Sequence, residues 1–320
     1  MSHMPGGSAA FLCPSIYERI SAVPPTSRPR PSIALSQNFL TNERLVAQLI
    51  DRSSIGPDDT VVEIGPGAGV ITGPLARRCR CVVAIEKDER LAALLRRRFR
   101  DAARVAVRRA DVLRAPLPDT PYKVFANIPF NVTTAIVSKL VTAPNPPGDC
   151  YLVVQREAAA KFAGTPRESL YAVLMKPWFE PSIVHTFRRG DFAPPPSVEV
   201  VMLRLRKRGP PLVAPTGARL YRDFVTYCFT ARQPSLRHTL KTLFSPRQLR
   251  HIEKHLVLDL DIAPTAIPFE RWLQLFHEFR RVGSARATQA VCGAEERLKR
   301  RQAGLQKVHR TRTRVRRHVH

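Results

Sequence analysis

Thr60-Val61-Val62-Glu63-Ile64-Gly65-Pro66-Gly67-Ala68-Gly69 decides the fold. Its first five residues are rich in β-branched side chains and predict a strand. That strand runs straight into three alternating glycines, which let a backbone turn tightly and approach a ligand closely. A helix is predicted over 70–78, a second strand over 81–85, and a helix over 88–100, where Leu91, Leu94 and Leu95 fall at helical spacing. Further short apolar runs at 104–107, 122–126 and 151–154 read as strands. Strands and helices alternating in this way make βαβ units and a parallel sheet covered on both faces. One more strand, over 198–205, follows the turn Pro194-Pro195-Pro196, and a closing pair of antiparallel strands fits there. The glycine spacing argues against a dinucleotide site, because Val70 stands where the GxGxxG pattern has its third glycine.

Beyond this α/β core the pattern changes on both sides. Residues 1–32 are rich in Pro, Ser and Gly, and Pro24-Pro25 and Arg28-Pro29-Arg30-Pro31 read as a flexible basic arm. After Gly209-Pro210-Pro211 the apolar spacing becomes helical. Leu220, Phe224, Tyr227 and Cys228 share one face, as do Leu236, Leu240, Leu243 and Phe244, and then Phe269, Trp272, Leu273 and Phe276 behind Pro268. From 284 no apolar face is sustained, and 297–317 carries ten basic residues and no acid. Such a block reads as a disordered tail that touches nucleic acid. The expected organisation is therefore an arm (1–32), an α/β domain (33–207), a helical domain (208–283) and a basic tail (284–320).

Composition supports a folded chain with a polyanionic partner. Hydrophobic residues make up 44% of 320, enough for a sizeable core. Lys plus Arg number 52 against 26 acids, a formal charge of +26 that points to nucleic acid. No run of apolar residues is long enough for a transmembrane helix, and no membrane partner is expected. The six cysteines include no CxxC pair and read as free thiols, so a cytoplasmic chain is expected. No metal-ligand set is found.

Three chemistry-bearing positions lie at the ends of successive predicted strands, where open α/β sheets bind ligands. Glu86 closes the second strand, and a carboxylate there can accept hydrogen bonds from two ribose hydroxyls. Asp111 follows the third; its carboxylate can hold an adenine amino group while Val112 packs on the ring. A helix N-cap is the plainer reading of Asp111. After the fourth strand comes Asn127-Ile128-Pro129-Phe130. The exocyclic amine of adenine is a poor nucleophile because its lone pair is delocalised into the ring. The Asn127 side-chain oxygen and the Ile128 carbonyl can accept its two N–H bonds, which draws the nitrogen toward tetrahedral geometry. Pro129 fixes the loop, and Phe130 offers a flat face to an extruded base.

Together with Ser36-Gln37-Asn38-Phe39-Leu40, these motifs resemble in order and spacing the rRNA adenine N6-methyltransferases, the superfamily of the Erm and KsgA-type enzymes. The resemblance spans about 36–205. It implies a Rossmann-like class I methyltransferase sheet followed by a small all-α domain, with S-adenosyl-L-methionine as cofactor. By motif, Gln37, Asn38 and Leu40 would lie near the methionine end of the donor, backed by Gly65 and Gly67. Glu86 and Lys87 would serve the ribose, Asp111 and Val112 the adenine, and Asn127 both donor and target. Asn127-Ile128-Pro129-Phe130-Asn131-Val132-Thr133-Thr134 is closer to the Erm branch. That branch implies methylation of one adenine of 23S rRNA, protein-free or in early assembly, by a monomer, with macrolide-lincosamide-streptogramin B resistance as the result. Arg156, Lys161, Arg167 and Lys176 are expected to track RNA phosphates. The other readings are a KsgA-type 16S rRNA dimethyltransferase and a non-catalytic RNA-binding or transcription factor on the same fold.

Overall fold

The structure, a computed structural model, describes residues 38–231, 233 and 235–303. The expected arm, Gln37 and the last seventeen residues lie outside the described residues. In chain order the strands are β1 (Phe39–Leu40), β2 (Thr60–Ile64), β3 (Cys81–Glu86), β4 (Val105–Arg109), β5 (Lys123–Asn127), β6 (Asp149–Gln155), β7 (Phe179–Thr186), β8 (Phe192–Ala193) and β9 (Val200–Lys207). The helices are α1 (Glu43–Asp51), α2 (Thr72–Arg78), α3 (Glu89–Arg98), α4 (Thr133–Val141), α5 (Arg156–Ala163), α6 (Leu170–Met175), α7 (Ala218–Thr230), α8 (Leu236–Leu240), α9 (Pro246–Leu256), α10 (Phe269–Val282), α11 (Ala285–Val291) and α12 (Ala294–Ala303).

Seven strands form one sheet in the order β4-β3-β2-β5-β6-β9-β7. The first five are parallel, and β9 runs antiparallel to both its neighbours. This is the expected α/β class. β2, β3 and β5 are buried on both faces and read as near-continuous apolar runs, while the outer parallel strand β4 is only partly buried. Helices begin where local caps allow. Asp88 accepts the N–H groups of Arg90 and Leu91 to open α3, and Asn42 accepts that of Leu45 to open α1. α1 then turns Val46, Leu49 and Ile50 into a core with Val61, Leu75, Val82 and Phe125. A separate two-stranded ribbon pairs β1 with β8, Phe39 opposite Ala193 and Leu40 opposite Phe192.

The chain divides into two compact units. The described part of the α/β unit runs to Pro166 and resumes over Met175–Leu212; the helical unit takes Arg167–Leu174 and the described residues from Val213. The expected domain junction after 207 thus lies a few residues later, and α6 falls with the helices. One reason is Tyr221, which is buried and donates its hydroxyl to the Val173 carbonyl at 2.8 Å. The helical core is aromatic: Phe224 stacks on Phe279 at 4.7 Å, and Tyr221 meets the edge of Phe276 at 5.1 Å.

One sequence expectation is corrected here. The segment from 284, expected to be disordered, begins with α11 and α12, which bury Ala287, Val291 and Ala294. The buried Asp223 carboxylate holds the turn between them by accepting the N–H groups of Gly293 (2.9 Å) and Glu295 (3.0 Å). Cys79, Cys150, Cys228 and Cys292 are free thiols.

Candidate active site

The sheet order brings the strand-end motifs into a row. Along the C-terminal edge, β4, β3, β2 and β5 are consecutive neighbours, so Asp111, Glu86, the glycine loop and Asn127 succeed one another across four strands. At about 4.8 Å per strand this row spans roughly 14 Å.

The glycine loop is shaped by positive dihedrals, φ 65° at Gly65 and 57° at Gly67. A Cβ on Gly67 would stand 2.9 Å from the Phe39 ring, so both conformation and space require glycine there. The Gly67 N–H donates to Glu86 Oε2 at 3.1 Å, and the Asp88 N–H donates to Glu86 Oε1 at 2.9 Å. Glu86 is buried and fixed by backbone on both oxygens, and each oxygen keeps lone-pair capacity for another donor. Behind it lies Glu63, fully buried. Thr72 donates its hydroxyl to Glu63 Oε2 at 2.7 Å, while Oε1 has no hydrogen-bond partner. Burial pushes the Glu63 carboxyl up to about 8; the Thr72 hydrogen bond opposes the shift and the nearby Glu86 adds to it.

Asp111 is more open. Its Oδ1 accepts the Leu113 N–H at 3.0 Å and its Oδ2 accepts a hydrogen bond from Lys87 Nζ at 3.0 Å. Partial burial raises its pKa, but the Leu113 and Lys87 hydrogen bonds and the positive charges of Lys87 and Arg114 outweigh it and hold the carboxyl below its ordinary range. The Leu113 bond closes a turn and not a helix, since none begins between β4 and β5, so Asp111 is not the helix N-cap of the plainer reading.

At the end of β5 a cleft of about 320 Å³, counting its space open to solvent, is lined by Asn38, Phe39 and Gly65 on one side and Asn127, Ile128, Pro129 and Phe130 on the other. Asn127 Nδ2 donates to the Asn38 carbonyl at 2.8 Å, and Asn38 Nδ2 donates to the Pro194 carbonyl at 2.7 Å. The Asn127 amide is thereby oriented, with Oδ1 left as its acceptor. The Ile128 side chain is buried and anchors the loop. Phe130 opens a 3₁₀ turn over Phe130–Val132, closed by the Val132 N–H to the Pro129 carbonyl at 3.2 Å.

Of the expected site residues, the structure brings Asn38, Gly65 and Asn127 to Phe130 to one cleft, with Glu86, Lys87, Asp111 and Val112 at the ends of the neighbouring strands. Leu40 instead packs in the core beside Val46 and Phe192. Phe39, which the sequence reading passed over, lines the cleft. Pro194 and the Glu63–Thr72 pair were also missed as site elements; Glu63 was visible only as a carboxylate inside an otherwise apolar strand. The expected phosphate-tracking residues divide between the units. Arg156 opens α5 and pairs with Glu199 at 2.9 Å, and Lys161 lies half-buried on the same helix, its pKa lowered by burial. Lys176 belongs to the α/β unit and the exposed Arg167 to the helical unit. No helix among the described residues is long and apolar enough to cross a membrane.

The pattern of the ribosomal RNA adenine dimethylase family matches residues 30–281. An rRNA adenine N-6-methyltransferase of Corynebacterium diphtheriae is 35% identical over 68% of this chain and 84% of its own length. A ribosomal RNA small subunit methyltransferase A of Geobacter metallireducens is 32% identical over 65% of this chain and 79% of its own. Among solved structures, the 23S rRNA methyltransferase ErmE superposes with a TM-score of 0.70 at 32% identity, covering 76% of this chain and 100% of that one.

Proposed function

The chain belongs to the ribosomal RNA adenine dimethylase family and is an S-adenosylmethionine-dependent rRNA adenine N6-methyltransferase, and from that premise we propose that it modifies a single adenine of 23S rRNA. The observation that carries this reading is the ErmE likeness, which extends over the whole of that chain. The Asn127-Ile128-Pro129-Phe130-Asn131-Val132-Thr133-Thr134 loop supports the same branch.

The site fits the donor. Asp111 with Val112 suits an adenine, and Glu86, whose oxygens keep lone-pair capacity, suits vicinal hydroxyls. When bound, S-adenosylmethionine supplies an electrophilic methyl group on a sulfonium. The protein's part is to position the target. Asn127 Oδ1, free because Nδ2 is committed to Asn38, accepts an N–H of the adenine amine, and the Ile128 carbonyl accepts the other. Both bonds move nitrogen lone-pair density out of the ring conjugation. No base is needed before attack, since the nitrogen becomes acidic only once it carries the methyl group. Catalysis here is orientation and positioning. Phe130 receives the flipped base, whose extrusion costs roughly a few kcal/mol. Arg156, Lys161, Arg167 and Lys176 bind phosphates along the RNA.

The enzyme acts as a cytoplasmic monomer on protein-free 23S rRNA or an early assembly intermediate, and the added methyl group blocks the macrolide, lincosamide and streptogramin B site. Expression in a susceptible bacterium tests this outcome. Raised inhibitory concentrations for all three drug classes support it, and unchanged sensitivity with abundant enzyme contradicts it.

A further inference from the structure

Helix α9 is well capped and strongly sided. Ser245 Oγ accepts the Gln248 N–H at 3.3 Å, and the Gln248 side chain accepts the Ser245 N–H at 2.8 Å. Leu249, Ile252 and Leu256 are buried. Arg247, Arg250, His251, Lys254 and His255 are all exposed, at i, i+3, i+4, i+7 and i+8, so they form one stripe about 12 Å long. The only acid in the helix, Glu253, is held by Arg237. Arg247, Arg250 and Lys254 make no ion pair among the described residues. His251 and His255 lie parallel, centroids 5.6 Å apart, with Arg281 Nη2 at 3.5 Å from His251 Nε2.

Stability alone does not account for this arrangement. Like charges three or four residues apart cost a helix a few tenths of a kcal/mol per pair. The same unit solves that problem elsewhere: on α12, Lys299 pairs with Glu295 and Arg300 with Glu296. On α9 no acid stands on the exposed face to pair with these cations.

We infer that the exposed face of α9 is a phosphate-backbone contact for RNA, carried by the helical unit. It rests on the substrate being RNA and not on which RNA is methylated. Point charges on one helix face bind phosphates without reading bases, so the contact is sequence-independent and salt-sensitive.

The test is a fluorescence-anisotropy titration of the full chain against a 23S domain V transcript and an unrelated RNA of equal length, over a range of salt. In the variant Arg247→Gln/Arg250→Gln/Lys254→Gln, the log–log salt slope is expected to become shallower by about 2 to 3 on both RNAs. Affinity at low salt falls at least tenfold, while donor affinity and melting temperature stay as in the wild type. Arg247→Lys/Arg250→Lys keeps the wild-type slope, which separates charge from packing. An unchanged slope in the Gln variant on both RNAs overturns the inference and leaves a solvated face. Failure of the 23S assignment reads differently: methylation falls elsewhere, while the slope difference remains.

Discussion

The Asn127 side chain donates its amide N–H to the Asn38 carbonyl across 89 residues of sequence, at 2.8 Å. This one bond joins the loop after β5 to the ribbon strand β1, which Asn38 in turn ties to Pro194. It commits Nδ2, so Oδ1 is the end of the amide proposed to meet the target amine. Asn127→Asp removes the donor and sets an anionic oxygen against a carbonyl, and Asn127→Ala removes both functions. Each variant is expected to lose at least 100-fold in single-turnover methylation, a loss typical of removing one positioned catalytic group. RNA affinity is expected to change little. Turnover within threefold of wild type in either variant contradicts the role assigned to this side chain.

Glu63 makes stability depend on pH. Unfolded, its carboxyl ionises near the ordinary 4.5; folded, burial holds the proton to about 8. Between those values the folded state binds the extra proton, so stability falls as pH rises through the window and levels off above it. The fall is about 1.4 kcal/mol per pH unit within the window. Glu63→Gln keeps the shape and the Thr72 contact and does not titrate. Chemical denaturation from pH 6 to 9 is expected to show the wild type losing stability relative to the Gln variant. Parallel curves contradict a neutral Glu63.

Val257 ends α9 in the left-handed region, φ 47°, with 82% of its surface exposed. A β-branched residue pays for that conformation and buries nothing in return, while glycine adopts it freely. Val257→Gly is expected to raise unfolding stability by about 1 kcal/mol. A lowered denaturation midpoint rules the strain out.

β2, β3, β5 and β6 were legible because burial on both faces writes them as apolar runs. β7 was not: past the buried Phe179 it alternates half-buried and exposed residues, carries Pro181, and lies at the sheet edge. β1 and β8 are two residues each and exist only through their pairing, which no local pattern announces. α11 and α12 were hidden by their polar composition; an acid on another helix, Asp223, holds the turn between them. The site divides on the same line. Gly65, Gly67, Glu86, Asp111 and Asn127 follow from strand ends, a local signal. Phe39 and Pro194 join the site through contacts between segments more than 150 residues apart.

The most direct measurement of the central claim incubates the enzyme with labelled S-adenosylmethionine and two protein-free transcripts, 23S domain V and the 16S 3′ end, and maps modification by primer extension. The account predicts modification at a single adenine of the 23S transcript and none on the 16S. Label on two adjacent 16S adenines would contradict it and move the protein to the other branch of its family.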